Sequence, residues 1–316
     1  MSYEKIKAVF MGTPEFAVDS LKALNDKENV TVEAVFTQPD RPKGRGHKLK
    51  ASPVKEYAEE NNLKIYQPLS LRKGEDGEMS QKILNDISPD IIIVAAYGQI
   101  LPEEVLNLPR FGCVNVHASL LPKYRGASPI ESSIMNGEKT TGITTMLMGK
   151  GLDTGDILMQ EETEIGENET GSELRERLAK IGADLLCQTI DGIVNKTITP
   201  KKQDDSISTY APKITKEMSE LDFSLPAQKL HDIIRAISGY TFLNGKRFKV
   251  YRSEIVEGKA DCPVGTVIEG KKAIIVSAGN STALKFTEVQ PEGKKRMPVE
   301  DFLRGRSIPA GTVFGK

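Results

Sequence analysis

The chain has 316 residues, of which 28% are charged and 38% hydrophobic, with a formal net charge of −1. That is the composition of an ordinary globular protein, and the length suits two domains that each bury a core. No apolar run approaches the ~18 residues of a membrane span, and the opening MSYEKIKAVF lacks a signal peptide's apolar segment, so the cytoplasm is the expected location. Cys113, Cys187 and Cys262 are few, odd in number and far apart. They suggest buried free thiols; neither a disulfide framework nor a metal site is evident. The small net charge hides an asymmetry: residues 1–207 hold 25 Lys and Arg against 32 Asp and Glu, whereas residues 208–316 hold 18 against 12. A basic carboxy-terminal part suits either a polyanionic partner or a plain solvated surface.

Residues 6–11 read as a short strand, and Gly12-Thr13-Pro14 as a turn. Phe16, Ala17, Leu21 and Leu24 follow at helical spacing, and 30–37 returns as a strand. This order predicts a parallel sheet with a right-handed crossover. Gly12 stands outside any GxGxxG pattern, so no dinucleotide site is inferred. Residues 38–50 hold five Lys or Arg, two Gly and two Pro, and read as an exposed loop. Its charge suits a phosphate backbone, although such loops are commonly only solvated linkers. A helix is expected over 53–61, a short strand over 64–68, a polar loop over 74–78 and a helix over 80–87. Residues 91–96 are wholly apolar and predict a buried central strand, and 97–102 form the loop after it.

Asn115, His117 and Ser119 alternate with Val116 and Ala118. On a strand, residues two apart share a face, which here carries an amide, an imidazole and a hydroxyl. Pro122 and Gly126 end that strand. A lone His at such a place is ordinarily a satisfied core or surface residue. A second stretch changes the balance: residues 143–148 read as a strand and 149–156, GKGLDTGD, as a glycine-studded loop. An acid on that loop, Asp153, can orient the His117 imidazole, or can simply form a turn. Helices are expected over 128–135 and 172–195, with a strand over 157–164 between them. Residues 197–211 lack helical period and read as a linker. Beyond lie a helix over 226–237 and short strands near 246–251, 265–268, 273–277 and 283–289, which suggest a small antiparallel barrel.

NVHASLLPKYRGASPI and GLDTGDIL, with FMGTPEFAV and TQPDRPKGRGHKLKASPVK, resemble in order and over nearly the whole chain the formyltransferases that use 10-formyltetrahydrofolate. Within that family the likeness is to those acting on methionyl initiator tRNA. The resemblance implies an α/β fold: a Rossmann-like parallel-sheet formyltransferase domain over 1–196, a linker over 197–211 and a smaller OB-like β-barrel domain over 212–316 that contacts tRNA. It implies Asn115, His117 and Asp153 as the catalytic set; a monomer is expected only because no coiled-coil or exposed apolar repeat appears. Ser119, Leu120, Leu121 and Pro122 would frame the folate, and 97–102 would wall its pterin. The basic loop would meet the tRNA through Arg45, with Arg41, Lys43 and Lys48 beside it. One departure is that Arg235-Ala236 leads into a shorter segment without the family's usual Trp. Rival readings are transfer to a sugar-nucleotide amine, or an RNA-binding protein without activity.

Overall fold

A computed structural model describes residues 5–43, 48–258 and 260–315. Packing divides the chain into two units, but not at a single cut. The first contains the chain up to Gly126, Thr141–Thr163 and Arg175–Tyr210. The second gathers Ala127–Thr140, Glu164–Leu174 and the chain from Ala211 onward.

In chain order the elements up to the long helix are β1 (Ile6–Gly12), α1 (Glu15–Asp26), β2 (Val30–Phe36), β3 (Arg41–Lys43), β4 (Lys48–Lys50), α2 (Pro53–Glu60), β5 (Ile65–Tyr66) and α3 (Gly74–Ile87). They continue with β6 (Ile91–Ala95), α4 (Glu103–Leu106), β7 (Cys113–His117), β8 (Arg125–Gly126), α5 (Pro129–Met135), β9 (Thr140–Leu147), β10 (Ile157–Glu164) and α6 (Gly171–Val194). The main sheet has the strand order β10-β9-β7-β6-β1-β2-β5. β5, β2, β1, β6 and β7 run parallel, and β9 runs antiparallel to β7. All five residues of β6 are buried, as its unbroken apolar run demands of a central strand. α1 buries Phe16, Ala17, Leu21 and Leu24, the residues at helical spacing. α2 starts where Ser52 accepts a hydrogen bond from the Lys55 N–H, and Pro53 needs no donor there.

Three local expectations change. Residues 74–78 are not loop but the first turns of α3, with Glu75 and Asp76 at its positive end. The basic stretch is not wholly irregular: β3 and β4 form an antiparallel ladder with Arg41 opposite Lys50 and Lys43 opposite Lys48. Arg45 lies outside the described residues. Of the three thiols only Cys113 is fully buried; Cys187 and Cys262 are half-buried.

The elements that follow α6 are β11 (Tyr210–Ala211), α7 (Ala227–Ile237), β12 (Gly239–Leu243), β13 (Lys246–Val256), β14 (Val267–Glu269), β15 (Ile274–Ala278), β16 (Thr282–Pro291), β17 (Met297–Pro298) and α8 (Val299–Leu303). β12 to β16 form an antiparallel sheet of order β12-β13-β16-β15-β14, with β17 also on β16. Leu230, Ile233 and Ile234 of α7 pack into its apolar core with Phe248, Phe286, Phe302 and Phe314. The other side of α7 is polar and buried. Arg235 bonds Asp232 at 2.9 Å and donates to the carbonyls of Gly166 and Glu169. His231 sits between Ser253 Oγ at 3.0 Å and the Glu167 carbonyl at 3.1 Å. Among the described residues no helix is long and apolar enough to cross a membrane.

Candidate active site

The site grows from the carboxyl end of β7, where open α/β sheets bind ligands. β7 lies between β6 and β9, so all five of its residues are buried. Asn115 pairs with Val94 of β6 and Met146 of β9, and His117 pairs with Thr144. Their side chains are only 8% and 5% exposed, so each polar group there needs a reason. His117 has one. Its Nε2 lies 2.9 Å from the Tyr124 carbonyl. A carbonyl only accepts, so Nε2 donates and carries the proton. Nδ1 then faces Asp153, with Oδ2 at 3.7 Å. That is beyond a direct hydrogen bond, yet it aims the carboxylate at the ring. Asn115 is different. Among the described residues its side-chain amide has no hydrogen-bond partner.

Asp153 reaches the ring because its loop turns sharply. Its φ is +52°, a left-handed conformation that Asp tolerates better than most residues. Two residues on, a Cβ at Gly155 would lie 1.6 Å from the Leu147 carbonyl oxygen, so only glycine fits. The Gly126 N–H donates to Asp153 Oδ2 at 2.8 Å. The Gln203 amide donates to the carbonyls of Asp153 at 2.9 Å and Gly155 at 2.7 Å. Its oxygen accepts from Arg125 Nε at 3.0 Å and Nη2 at 2.8 Å. Thr209 holds the same segment, accepting from the Tyr124 N–H through its hydroxyl and from the Arg125 N–H through its carbonyl. Tyr124 and Arg125 stood in the sequence only as part of the motif around the end of β7, with no role in the site. Gln203 and Thr209 fall in a stretch whose composition reads as a linker.

Strand β7 ends at His117, so Ser119 does not continue its polar face. The Ser119 hydroxyl donates to the Lys123 carbonyl at 2.6 Å and is fully buried. Leu121 is buried too; Leu120 and Pro122 are half-exposed. Thr144 secures this segment, donating to the Ser119 carbonyl and accepting from the Leu121 N–H. At the same end of the sheet, glutamines lash the neighbouring loops together. Gln38 donates to the Tyr97 carbonyl, Gln67 to the Gln38 carbonyl and Gln99 to the Pro68 carbonyl. Asp40 joins them, its carboxyl held below the usual range by hydrogen bonds from Lys55 and then Gln67. Arg41 is exposed and donates to Gln38 Oε1 at 3.3 Å. Lys43 and Lys48 are register partners in the hairpin.

Two family models match the chain: formyl transferase over residues 5–190, and formyl transferase, C-terminal domain, over residues 213–307. A methionyl-tRNA formyltransferase of Clostridium novyi is 51% identical over 98% of this chain and 100% of its own. One from Caldanaerobacter subterraneus is 47% identical over the same shares. Among solved structures, WlaRD, a sugar 3N-formyl transferase crystallised with dTDP and 5-N-formyl-THF, superposes with a TM-score of 0.64. It is 21% identical and covers 93% of this chain and 100% of its own, a likeness of fold. Matched along both stretches and near half identical to these relatives end to end, the chain belongs to the formyl transferase family, among the methionyl-tRNA formyltransferases.

Proposed function

We propose that this chain moves the formyl group of 10-formyltetrahydrofolate onto the α-amino group of methionyl initiator tRNA, as a monomer in the cytoplasm. The observation that carries the reading is the Asp153 carboxylate facing the His117 ring at 3.7 Å, one pleat from the Asn115 amide, which has no partner among the described residues. The relatives' shared name supplies the acceptor. The residues present suit a formyl donor. Asn115 offers an N–H donor unengaged among the described residues at a buried strand end, and the half-exposed Leu120 and Pro122 offer apolar surface to a flat ring.

When bound, the folate supplies an activated one-carbon unit. Asn115 donates to the formyl oxygen as negative charge builds there, the place where a fixed donor is worth most. As the bond from the formyl carbon to the folate nitrogen breaks, that nitrogen must gain the proton the attacking amine loses; His117 carries it between them, or orders a water that does so. Asp153 orients the ring and balances its charge when it is cationic. Ser119 and Leu121 act from inside, holding the segment that presents Leu120 and Pro122. Attack is direct, since the amine itself is the nucleophile. Proximity of amine and donor supplies the remainder, an effect worth ~7–11 kcal/mol at best. Arg45, with Arg41, Lys43 and Lys48 on the hairpin, meets the tRNA backbone.

The test is a formylation assay with methionyl initiator tRNA and with a sugar-nucleotide amine as rival acceptors. Formylation of the tRNA alone is expected. Asn115→Ala is expected to lower turnover roughly 100–1000-fold, the loss of one oxyanion donor at ~2.7–4 kcal/mol, with an unchanged melting temperature. Wild-type turnover in that variant removes Asn115 from the chemistry. Preference for the sugar nucleotide overturns the acceptor.

A further inference from the structure

We propose that Gln203 is a positioning residue that sets the Asp153 carboxylate against His117. The proposal rests on the role given to Asp153 above. A non-glycine residue at φ +52° persists only where its surroundings hold it. The loop around Asp153 has no ladder to do so, as 149–156 carry neither helix nor strand. Gln203 supplies the hold. Its two N–H groups take the carbonyls of Asp153 and Gly155, on either side of Thr154, at 2.9 and 2.7 Å. The amide cannot turn over, because its oxygen is engaged by both Nε and Nη2 of Arg125. A guanidinium only donates and a carbonyl only accepts, so the partners themselves assign the two ends. Gln203 is 8% exposed, which leaves little room for water to replace it.

The geometry links Gln203 to the reacting pair through one short segment. The Tyr124 carbonyl accepts the hydrogen bond of His117 Nε2–H, the Arg125 side chain grips Gln203, and the Gly126 N–H binds the Asp153 carboxylate. Three successive residues thus touch all three groups. Asp205 completes the tie from outside, 2.7 Å from Arg125 Nη2. Gln203 therefore fixes the backbone of the Asp153 loop to the same three residues that fix the imidazole. Removing it leaves the carboxylate present but free to swing.

The experiment is a double-mutant cycle on turnover with Gln203→Met and Asp153→Asn, singly and together, at several pH values. Gln203→Met keeps the side-chain length without its hydrogen bonds. It is expected to lower kcat roughly 10–100-fold, as loss of an outer hydrogen-bond partner commonly does. KM for both substrates should hold, and the pH profile of kcat should shift. Added to Asp153→Asn it should cost nothing further, because the two act through one group. Gln203→Asn, which keeps an amide, should lose less than Gln203→Met. If Gln203→Met does not fold, Gln203→Asn carries the same cycle. Losses that multiply, or full turnover in the Gln203 variants, overturn the proposal. Full turnover in Asp153→Asn instead overturns the role of Asp153 itself, so the two failures are distinct.

Discussion

Cys113 opens the strand that carries Asn115 and His117, and its thiol reports on that strand. It is 2% exposed, burial pushes its pKa up to about 12, and its Sγ lies 3.5 Å from the Val105 carbonyl. In native protein near neutral pH it is expected to resist an alkylating reagent, while the half-buried Cys262 reacts. All three thiols should react in denaturant. Mass spectrometry of labelled peptides reads this directly. Rapid native labelling of Cys113 would mean that β7 opens readily. Asn115 and His117 could be singled out only together with the Asp153 loop and the motif around them, since a lone His at a strand end is ordinarily a satisfied core residue. Ser119 does not share the strand face that alternation gave it, because alternation says nothing about where a strand stops. Gln203 gave no signal, since its partners lie 50 and 78 residues back in the sequence, at Asp153 and Arg125.

Among the elements, α6 shows how local chemistry sets a boundary. Thr170 Oγ1 accepts from the Glu173 N–H, and Glu173 Oε2 accepts from the Thr170 N–H at 2.8 Å, a reciprocal cap written in the sequence as Thr-Gly-Ser-Glu. The Thr170 N–H, then Arg252 and the Thr170 hydroxyl, hold the Glu173 carboxyl at about 2, below its ordinary 4.5. A depressed carboxyl stabilises the fold fully above its unfolded pKa and ceases to as pH falls through the folded value. Glu173→Gln should therefore lower stability near pH 7, by roughly 0.5–1 kcal/mol given the solvent screening of a half-exposed pair. The gap to wild type should narrow below pH 4.5, and urea melts near pH 7 and pH 3.5 measure it. A constant gap would leave the carboxylate charge without a part in the cap. The apolar strands and this helix were readable because pattern and caps agree. The β3–β4 hairpin was not, since its ladder is built from Lys, Arg and Pro with only Leu49 apolar.

At the scale of the molecule, charge and packing divide the chain in different places. The acidic part ends near residue 207, whereas α5 and residues 164–174 pack with the carboxy-terminal unit. Sequence order hides this, because a hydrophobic period shows that a helix has a buried face but not which core receives it. Arg235, Asp232 and His231 are each at most 7% exposed, and Arg235 and His231 find their carbonyl acceptors at Gly166, Glu167 and Glu169. A gene fragment begun at residue 212 would discard those acceptors and α5 together. Stranding a buried charge pair without its remaining partners commonly costs several kcal/mol. Such a fragment is expected to lack a sharp thermal transition and to show poorly dispersed amide resonances. Cooperative melting like that of the intact chain would count against this. Anyone seeking to graft the basic half onto another enzyme thus inherits a splicing problem: the piece that looks separable when read as letters has two of its staves left behind in the other half.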